Sequence, residues 1–495
     1  MGAVGDLGPY ILQSLVVLTT VLLALGYSNA KDTLLPIDQR LTLSPPVWGF
    51  LAVHVAAMGA FGILSSFLFG GAVPGGTLLA SAWLVVGIGG IAAGALFFIP
   101  PGVFRELANS AGSAWIYATA AAVATPVFVL ASKQLWKPAT AVTFELVRFL
   151  LGPLLNGVVA NPATKEIGTH KFAVEIAPSC SGLEGVGLML IFSVLWLWFF
   201  RSDYKFPRAL LLIPVGVIVI FLLNAVRIAT LILIGDAGAR TMALGGFHSQ
   251  AGWIAFNGVA LGLACIAHRV PWISSKQTPA VMAQAEDPTA SFLVPFLAIL
   301  AAGMLSRASS GSFEWAYPLR FAAAAGALFV FRRKYADMNW SFGWVAPMVG
   351  GLVFILWIGL DRIAGAHGEN GMPAALMASS PAARMAWLIV RTLAAVVTVP
   401  IAEELAFRGF LLRRLISADF ESVSPQRWSF LAVAASSVAF GLLHGDRWIA
   451  GTLAGVLYAG AQKWRGRIGD AVVAHGVTNA LISVWVLWGG HWSLW

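Results

Sequence analysis

Long apolar runs alternate with short polar stretches along this chain. A window of about 19 residues picks out runs near 10–28, 47–70, 77–99, 112–132, 139–160, 183–200, 209–235 and 251–268. After a polar interval they resume near 291–306, 317–331, 343–360, 383–415, 429–444, 448–462 and 468–489. A helix needs about 20 apolar residues to cross a hydrocarbon core of about 30 Å. A helix also satisfies its own backbone where no water can. The pattern therefore predicts an all-α fold, a polytopic transmembrane helical protein of about 15 spans.

The polar interval from His268 to Thr289 holds Pro271, Ser274, Ser275, Lys276, Pro279, Glu286, Asp287 and Pro288. It is the natural boundary between two helical membrane domains. These are 1–268 and 291–495, joined by a cytoplasmic linker at 269–290. The first run resembles a signal peptide ending at Ser28-Asn29-Ala30, but its only early charge is Asp6, so it reads as a retained span. No repeat of fixed period is visible.

Composition sharpens this picture. Of 495 residues, 59% are hydrophobic and 11% charged, against about 25% charged in soluble domains. With 20 Trp and 31 Phe, that excludes disorder, a coiled coil and a secreted disulfide scaffold. The net charge of +9 comes from Lys and Arg placed singly between apolar runs. They read as charges that orient membrane helices, not as a nucleic-acid surface. With the N-terminus cytoplasmic, Arg332, Arg333, Lys334, Arg413, Arg414, Arg427, Lys463, Arg465 and Arg467 lie inside. Arg307, Arg320, Arg362, Arg384 and Arg447 lie outside, an imbalance in the expected direction. The first half is close to a tie. Two cysteines, Cys180 and Cys265, cannot build a disulfide framework or a four-cysteine metal site.

Two constellations carry chemistry. In the first, Glu175-Ile-Ala-Pro-Ser-Cys-Ser-Gly-Leu-Glu184 leads into a helix from the outer face. Pro178 and Ser179 suit a helix start, and Cys180 would sit near the first turn, at the positive end of the dipole. Asn224-Ala-Val-Arg227 lies in the outer third of a later helix, and His248 falls in the outer loop before the next. A charge inside a span is costly, so Arg227 is a functional candidate by default. A cysteine with a histidine base, and an arginine to hold an oxyanion or carboxylate, suits acyl transfer. Cys265, mid-helix and unpartnered, reads as an apolar filler.

The series Pro-Ser-Cys-Ser-Gly-Leu, Asn-x-x-Arg and a histidine opening the next helix resembles the exosortases over residues 10–268. These are bacterial polytopic membrane proteins thought to act like sortases on proteins with a C-terminal sorting tail. The resemblance implies Cys180 as nucleophile, Arg227 as oxyanion or substrate holder, and His248 as acid/base.

The second constellation begins with Glu403-Glu-Leu-Ala-Phe-Arg408 on a strongly apolar helix. Adjacent carboxylates at hydrocarbon depth need partners or a purpose. Four-residue spacing pairs Arg408 with Glu404 and leaves Glu403 freer to act as a base. Phe440-Gly-Leu-Leu-His444 and His475-Gly-Val-Thr-Asn479 add two histidines and an amide, with His475 and Asn479 on one helical face. A carboxylate and a histidine can activate water while a second histidine and an amide hold an oxyanion. Glu403, His444 and His475 are equally a divalent-metal set. A simple up-and-down trace leaves one mismatch: His444 falls at the outer end of its helix, whereas Glu403 is about ten residues from cytoplasmic Arg413. Either the helix 429–444 starts deeper or the spans tilt.

Glu-Glu-x-x-x-Arg, Phe-x-x-x-His and His-x-x-x-Asn, in this order over 385–488, resemble the CAAX-prenyl-protease-like family of intramembrane endopeptidases. The resemblance implies that Glu403 and His444 activate water and that His475 and Asn479 form the oxyanion hole. Both metal-dependent and metal-free glutamate chemistry have been argued for the family; the metal-free form is favoured, with no cofactor. No P-loop or dinucleotide motif is present.

The two halves together resemble the exosortase E/protease fusions. That implies a bacterial inner-membrane sorting peptidase whose substrates are membrane-anchored proteins. Their C-terminal tail would resemble Val-Pro-Glu-Ile-Asp, followed by a membrane helix and a basic end. The alternatives are a transporter lined by Arg227, Glu403, Glu404 and the histidines, a membrane acyltransferase using His248, and a non-catalytic docking protein. Two unlike halves disfavour the transporter.

Overall fold

A computed structural model describes residues 11, 13–22, 25, 48–69, 77–99, 101–177, 180–275, 288–365 and 371–495. The Ser28–Ala30 cleavage reading, most of the linker (276–287) and Pro178-Ser179 lie outside the described residues. The protein is 78% helical. Among the described residues eight helices are long and apolar enough to cross a membrane, with five shorter apolar helices beside them. The chain is thus an all-α polytopic membrane protein.

Contacts group the chain into two units: residues 1–134 with 429–431, and 135–428 with 432–495. In the first, α1 (Trp48–Phe69) and α2 (Thr77–Phe98) form a hairpin. Phe61 stacks on Trp83 at 4.8 Å, the Trp83 indole donates to Ser65 Oγ at 2.8 Å, and His54 Nδ1 donates to the Gly90 carbonyl at 2.8 Å. Small residues let such helices approach: a side chain at Gly94 would meet the His54 ring. Helices α3 (Pro101–Ser110) and α4 (Ala114–Leu151) follow.

The expected pair of spans at 112–132 and 139–160 is one helix of 38 residues, α4. The helix runs on through Lys137 and Pro138, although a proline inside a helix removes a backbone hydrogen bond. The chain then forms three short antiparallel strands, β1 (Val159–Asn161), β2 (Glu166–Gly168) and β3 (Ala173–Glu175), in sequential order. Ile167 and Ile176 bury against Phe144, Val147 and Leu151 of α4, so this meander is fixed to the helix before it.

Helices α5 (Leu183–Phe199), α6 (Leu212–Asp236) and α7 (His248–Arg269) pack around Met189, Leu197, Ile220, Val259 and Leu263. Gly216 makes room there, since a Cβ would lie 2.7 Å from Leu263 Cδ1.

Beyond the linker, the helices longer than ten residues are α8 (Pro288–Ala308), α9 (Pro318–Val330), α10 (Val345–Ile363), α11 (Pro381–Ile416), α12 (Phe430–Leu442), α13 (Trp448–Arg465) and α14 (Ile468–Gly489). They surround a core of Phe296, Val353, Ala402, Phe407, Phe440, Ala454, Tyr458 and Ala474. Outward side chains such as Ile355 and Trp488 are exposed, as expected of residues facing lipid.

Among the described residues three stretches are π-helical: Ala243–Phe247 directly before α7, and Ala394–Thr398 and Leu405–Leu411 within α11. Such wide turns are rare and frequently mark functional sites.

Candidate active sites

The first constellation forms where the meander runs into α5. Cys180 N–H donates to the Ala177 carbonyl at 2.8 Å. Gly182, in the left-handed region at φ 89°, then turns the chain into α5. Cys180 therefore precedes the helix by three residues instead of sitting in its first turn, because the turn at Gly182 comes between them. Asn224 of α6 donates to the Cys180 carbonyl at 2.9 Å, and Thr143 of α4 donates to the Ser181 carbonyl at 2.9 Å. Two helices thus hold the two consecutive carbonyls that follow the Cys180 side chain.

One turn below Asn224, the Arg227 guanidinium lies against Gly252 of α7, where a Cβ would be 3.0 Å from Nη1. Gly252 is one turn from His248, and Arg227 acts electrostatically on that imidazole. Arg227 Nε is buried without a hydrogen-bond partner. Asn224 and Arg227 line a cavity of about 260 Å³ with Glu184, Ser249, Gly252 and Trp253. Arg227, His248 and the Cys180 backbone are brought together through α6. Cys180 packs against the apolar cluster that includes Phe144, Ile176 and Ile228, and no hydrogen bond joins its side chain to His248 or Arg227 among the described residues.

The second constellation centres on a buried ion pair. Arg408 Nη1 donates to Glu404 Oε1 at 3.1 Å, with both side chains almost fully enclosed. Arg408 Nη2 donates to the Gly455 carbonyl at 3.0 Å, and its guanidinium lies 4.4 Å above the Phe440 ring. Glu404 Oε1 also accepts from His475 Nδ1 at 3.0 Å. An oxygen that accepts from both must belong to a carboxylate, so the proton sits on Nδ1 and His475 Nε2 is left facing Glu403 Oε2 at 3.9 Å. Tyr458 stacks on the His475 ring at 4.9 Å and fixes its plane. Glu404 is thus the histidine's orienting partner. Glu403 Oε2 is buried with no hydrogen-bond partner.

His444 Nδ1 donates to the Phe440 carbonyl at 2.9 Å, which leaves its Nε2 as an acceptor. Asn479 uses one N–H on the Ala395 carbonyl, inside the π stretch, at 2.7 Å. Glu403, His444, His475 and Asn479 line one cavity of about 380 Å³.

The depth mismatch between His444 and Glu403 has a simple origin. Helix α12 has 13 residues, about 20 Å at 1.5 Å per residue, well short of the hydrocarbon core. His444, just past its end, consequently reaches the level of Glu403.

Among the described residues no group of three or more His, Cys, Asp or Glu side chains is gathered as a metal-ligand set.

The cavity also contains residues the sequence reading did not single out. Arg307 and Arg320, counted as outer loop charges, sit in α8 and α9 and line it, as does Arg391 of α11. Arg391 carried a usable signal, the same one that marked Arg227: a charge within an apolar run. Tyr458 and Trp357, whose ring lies 5.3 Å from His444, carry no charge to set them apart from the other aromatics of an apolar sequence.

Residues 10–266 match the family model described as transmembrane exosortase, and residues 385–481 match the one described as Type II CAAX prenyl endopeptidase Rce1-like. No curated protein matches the chain, and no solved structure does.

Proposed function

We propose that this chain, which belongs to the transmembrane exosortase family through residues 10–266 and carries a Rce1-like CAAX endopeptidase segment over 385–481, is a two-site sorting peptidase. That it is a multi-pass membrane protease follows from the two families. The finer assignment is our reading: an exosortase-type domain at 1–268 and an intramembrane endopeptidase domain at 291–495, in a bacterial inner membrane.

At the first site the Cys180 thiolate attacks a peptide carbonyl of a membrane-anchored protein near its C-terminal tail, on the periplasmic face. Arg227 holds the oxyanion and His248 protonates the departing amine, leaving a thioester on Cys180. Attack by an acceptor nucleophile, or by water deprotonated at His248, breaks the thioester and frees the thiol. The unpartnered Arg227 Nε and the grip of Asn224 on the Cys180 carbonyl support these roles.

At the second site Glu403, with His444, takes a proton from water, which adds to a peptide carbonyl. Asn479 donates its second N–H to the oxyanion as it forms, and His475 donates from Nε2 once that nitrogen is protonated, with Glu404 holding the resulting imidazolium. Collapse expels the amine, protonated from Glu403. One observation carries this half: four side chains from separate segments line a single cavity, with Glu404 and Arg408 orienting His475.

The test is a membrane-tethered reporter ending in a short motif, an apolar helix and a basic cluster, co-expressed with the chain. Wild type should shorten the reporter. Cys180→Ala should leave the tail attached, and Glu403→Gln should leave the first cut intact while a second fragment persists. A reporter unchanged by the wild-type chain rules the reading out.

A further inference from the structure

The cavity of the second site has a cationic end that the proposed peptide-bond chemistry does not use. Arg307, Arg320 and Arg391 all line it, and Arg320 acts electrostatically on the other two. Among the described residues the carboxylate paired at this end is Glu314, which accepts from Arg320 and, at 2.6 Å, from Ser306 Oγ, while Glu403 lines the same cavity without an arginine partner. Arg391 donates to the Tyr317 hydroxyl at 2.8 Å and is held between the Tyr317 ring at 4.1 Å and the Trp495 ring at 4.9 Å. Those contacts fix its position without neutralising it. Arg320 Nε is buried without a hydrogen-bond partner. The Arg307 guanidinium has no hydrogen-bond partner among the described residues. Among the described residues, three guanidinium groups share the one paired carboxylate Glu314 and keep donors open, which leaves this end of the cavity short of an anion.

We infer that Arg307, Arg320 and Arg391 bind a carboxylate of the peptide substrate, an acidic side chain or a free C-terminus, while its scissile bond lies at Glu403. The inference rests on the endopeptidase reading of the second site. A peptide is favoured over a lipid phosphate because both groups line one cavity, so a single chain can fill both ends. Guanidinium forks match a planar carboxylate in geometry.

The helix also provides a ruler. Arg391 and Glu403 are twelve residues apart on α11, at most about 18 Å at 1.5 Å per residue. An extended peptide spans about 3.3–3.6 Å per residue, so the carboxylate lies about five residues from the bond that is cut.

The experiment uses the full chain in phosphatidylcholine nanodiscs. Its probes are dye-labelled Leu/Ala peptides with a free C-terminal carboxylate, and the same peptides as C-terminal amides. The acid should bind at least about tenfold more tightly, the worth of one charge-assisted hydrogen bond. Arg307→Gln, which removes no hydrogen bond from the fold, should reduce that preference severalfold. Arg391→Gln should abolish it and Arg391→Lys should restore part of it. Cleavage sites, read by mass spectrometry, should cluster about five residues from the carboxylate. Equal binding of acid and amide overturns the inference, as does a preference unchanged in Arg307→Gln and Arg391→Gln. Repeating the binding with phosphatidylglycerol in the nanodisc separates the sources: an acid preference erased by that lipid assigns the arginines to a headgroup and overturns the peptide assignment. Cleavage that depends on Glu403 but ignores the carboxylate sinks the inference and leaves the endopeptidase reading standing. Carboxylate binding without any cleavage does the reverse.

Discussion

Glu404 and Arg408 show how a membrane interior tolerates full charges. Each is enclosed, and each is paired or hydrogen-bonded through the same few atoms. Removing one partner strands the other, which costs about 3–5 kcal/mol at a buried site. Arg408→Ala should therefore lower unfolding free energy in detergent by about that amount, whereas Arg408→Ala with Glu404→Leu should recover part of it. Equal stability of the single and double variants would show that the pair is not the source. At the first site, Asn224→Ala removes one hydrogen bond to the Cys180 carbonyl, a loss of about 1 kcal/mol. Its larger effect should be on the Cys180-dependent cut, reduced tenfold or more in the reporter assay with Glu403-dependent cutting unchanged. The residues of both constellations were legible in the sequence because a charge, histidine or amide stands out against an apolar run. Arg307 and Arg320 were not, because near a helix end an arginine reads the same whether it faces water or a cavity.

Elements were legible wherever an apolar run ended in a clear stop. The expected 47–70 and 468–489 became Trp48–Phe69 and Ile468–Gly489. The pattern misled in two places. Polar residues near 133–137, and Pro138 directly after them, do not interrupt α4, which runs unbroken to Leu151. Strands of three residues, as in the meander, are too short to show a period of two. A third case is geometric. At 100° per residue, twelve residues of regular α-helix would leave Arg391 about 120° from Glu403. The π stretch Ala394–Thr398 absorbs one residue between them, so the rotation closes to about three whole turns, near 20°. Reading α11 with a 3.6-residue period therefore puts Arg391 on the wrong face. Deleting exposed Val397 should restore the α repeat and turn Arg391 out of the cavity. The expected result is a chain that still inserts in the membrane but no longer prefers the carboxylate peptide over its amide, measured in the nanodisc assay. A preference that survives the deletion would mean the wide turn does not set the face.

At the scale of the molecule, the two polar constellations occupy neighbouring helices of one unit, and they touch at a defined point. Gly246 lies in the π stretch two residues before His248, and a Cβ there would overlap the Arg307 carbonyl oxygen and crowd that of Ser310. The side chain of that same Arg307 lines the second cavity. Gly246→Ala must push α8 away from the start of α7, shifting His248 on one side and Arg307 on the other. Cutting at both sites should fall severalfold in the reporter assay, while Gly245→Ala, which would meet nothing within 4 Å, should be silent in both. A Gly246→Ala chain impaired at one site alone would show that the contact does not couple them. In genetic terms Gly246 is a pleiotropic position: a single codon in the first half of the reading frame whose lesion scores in two assays.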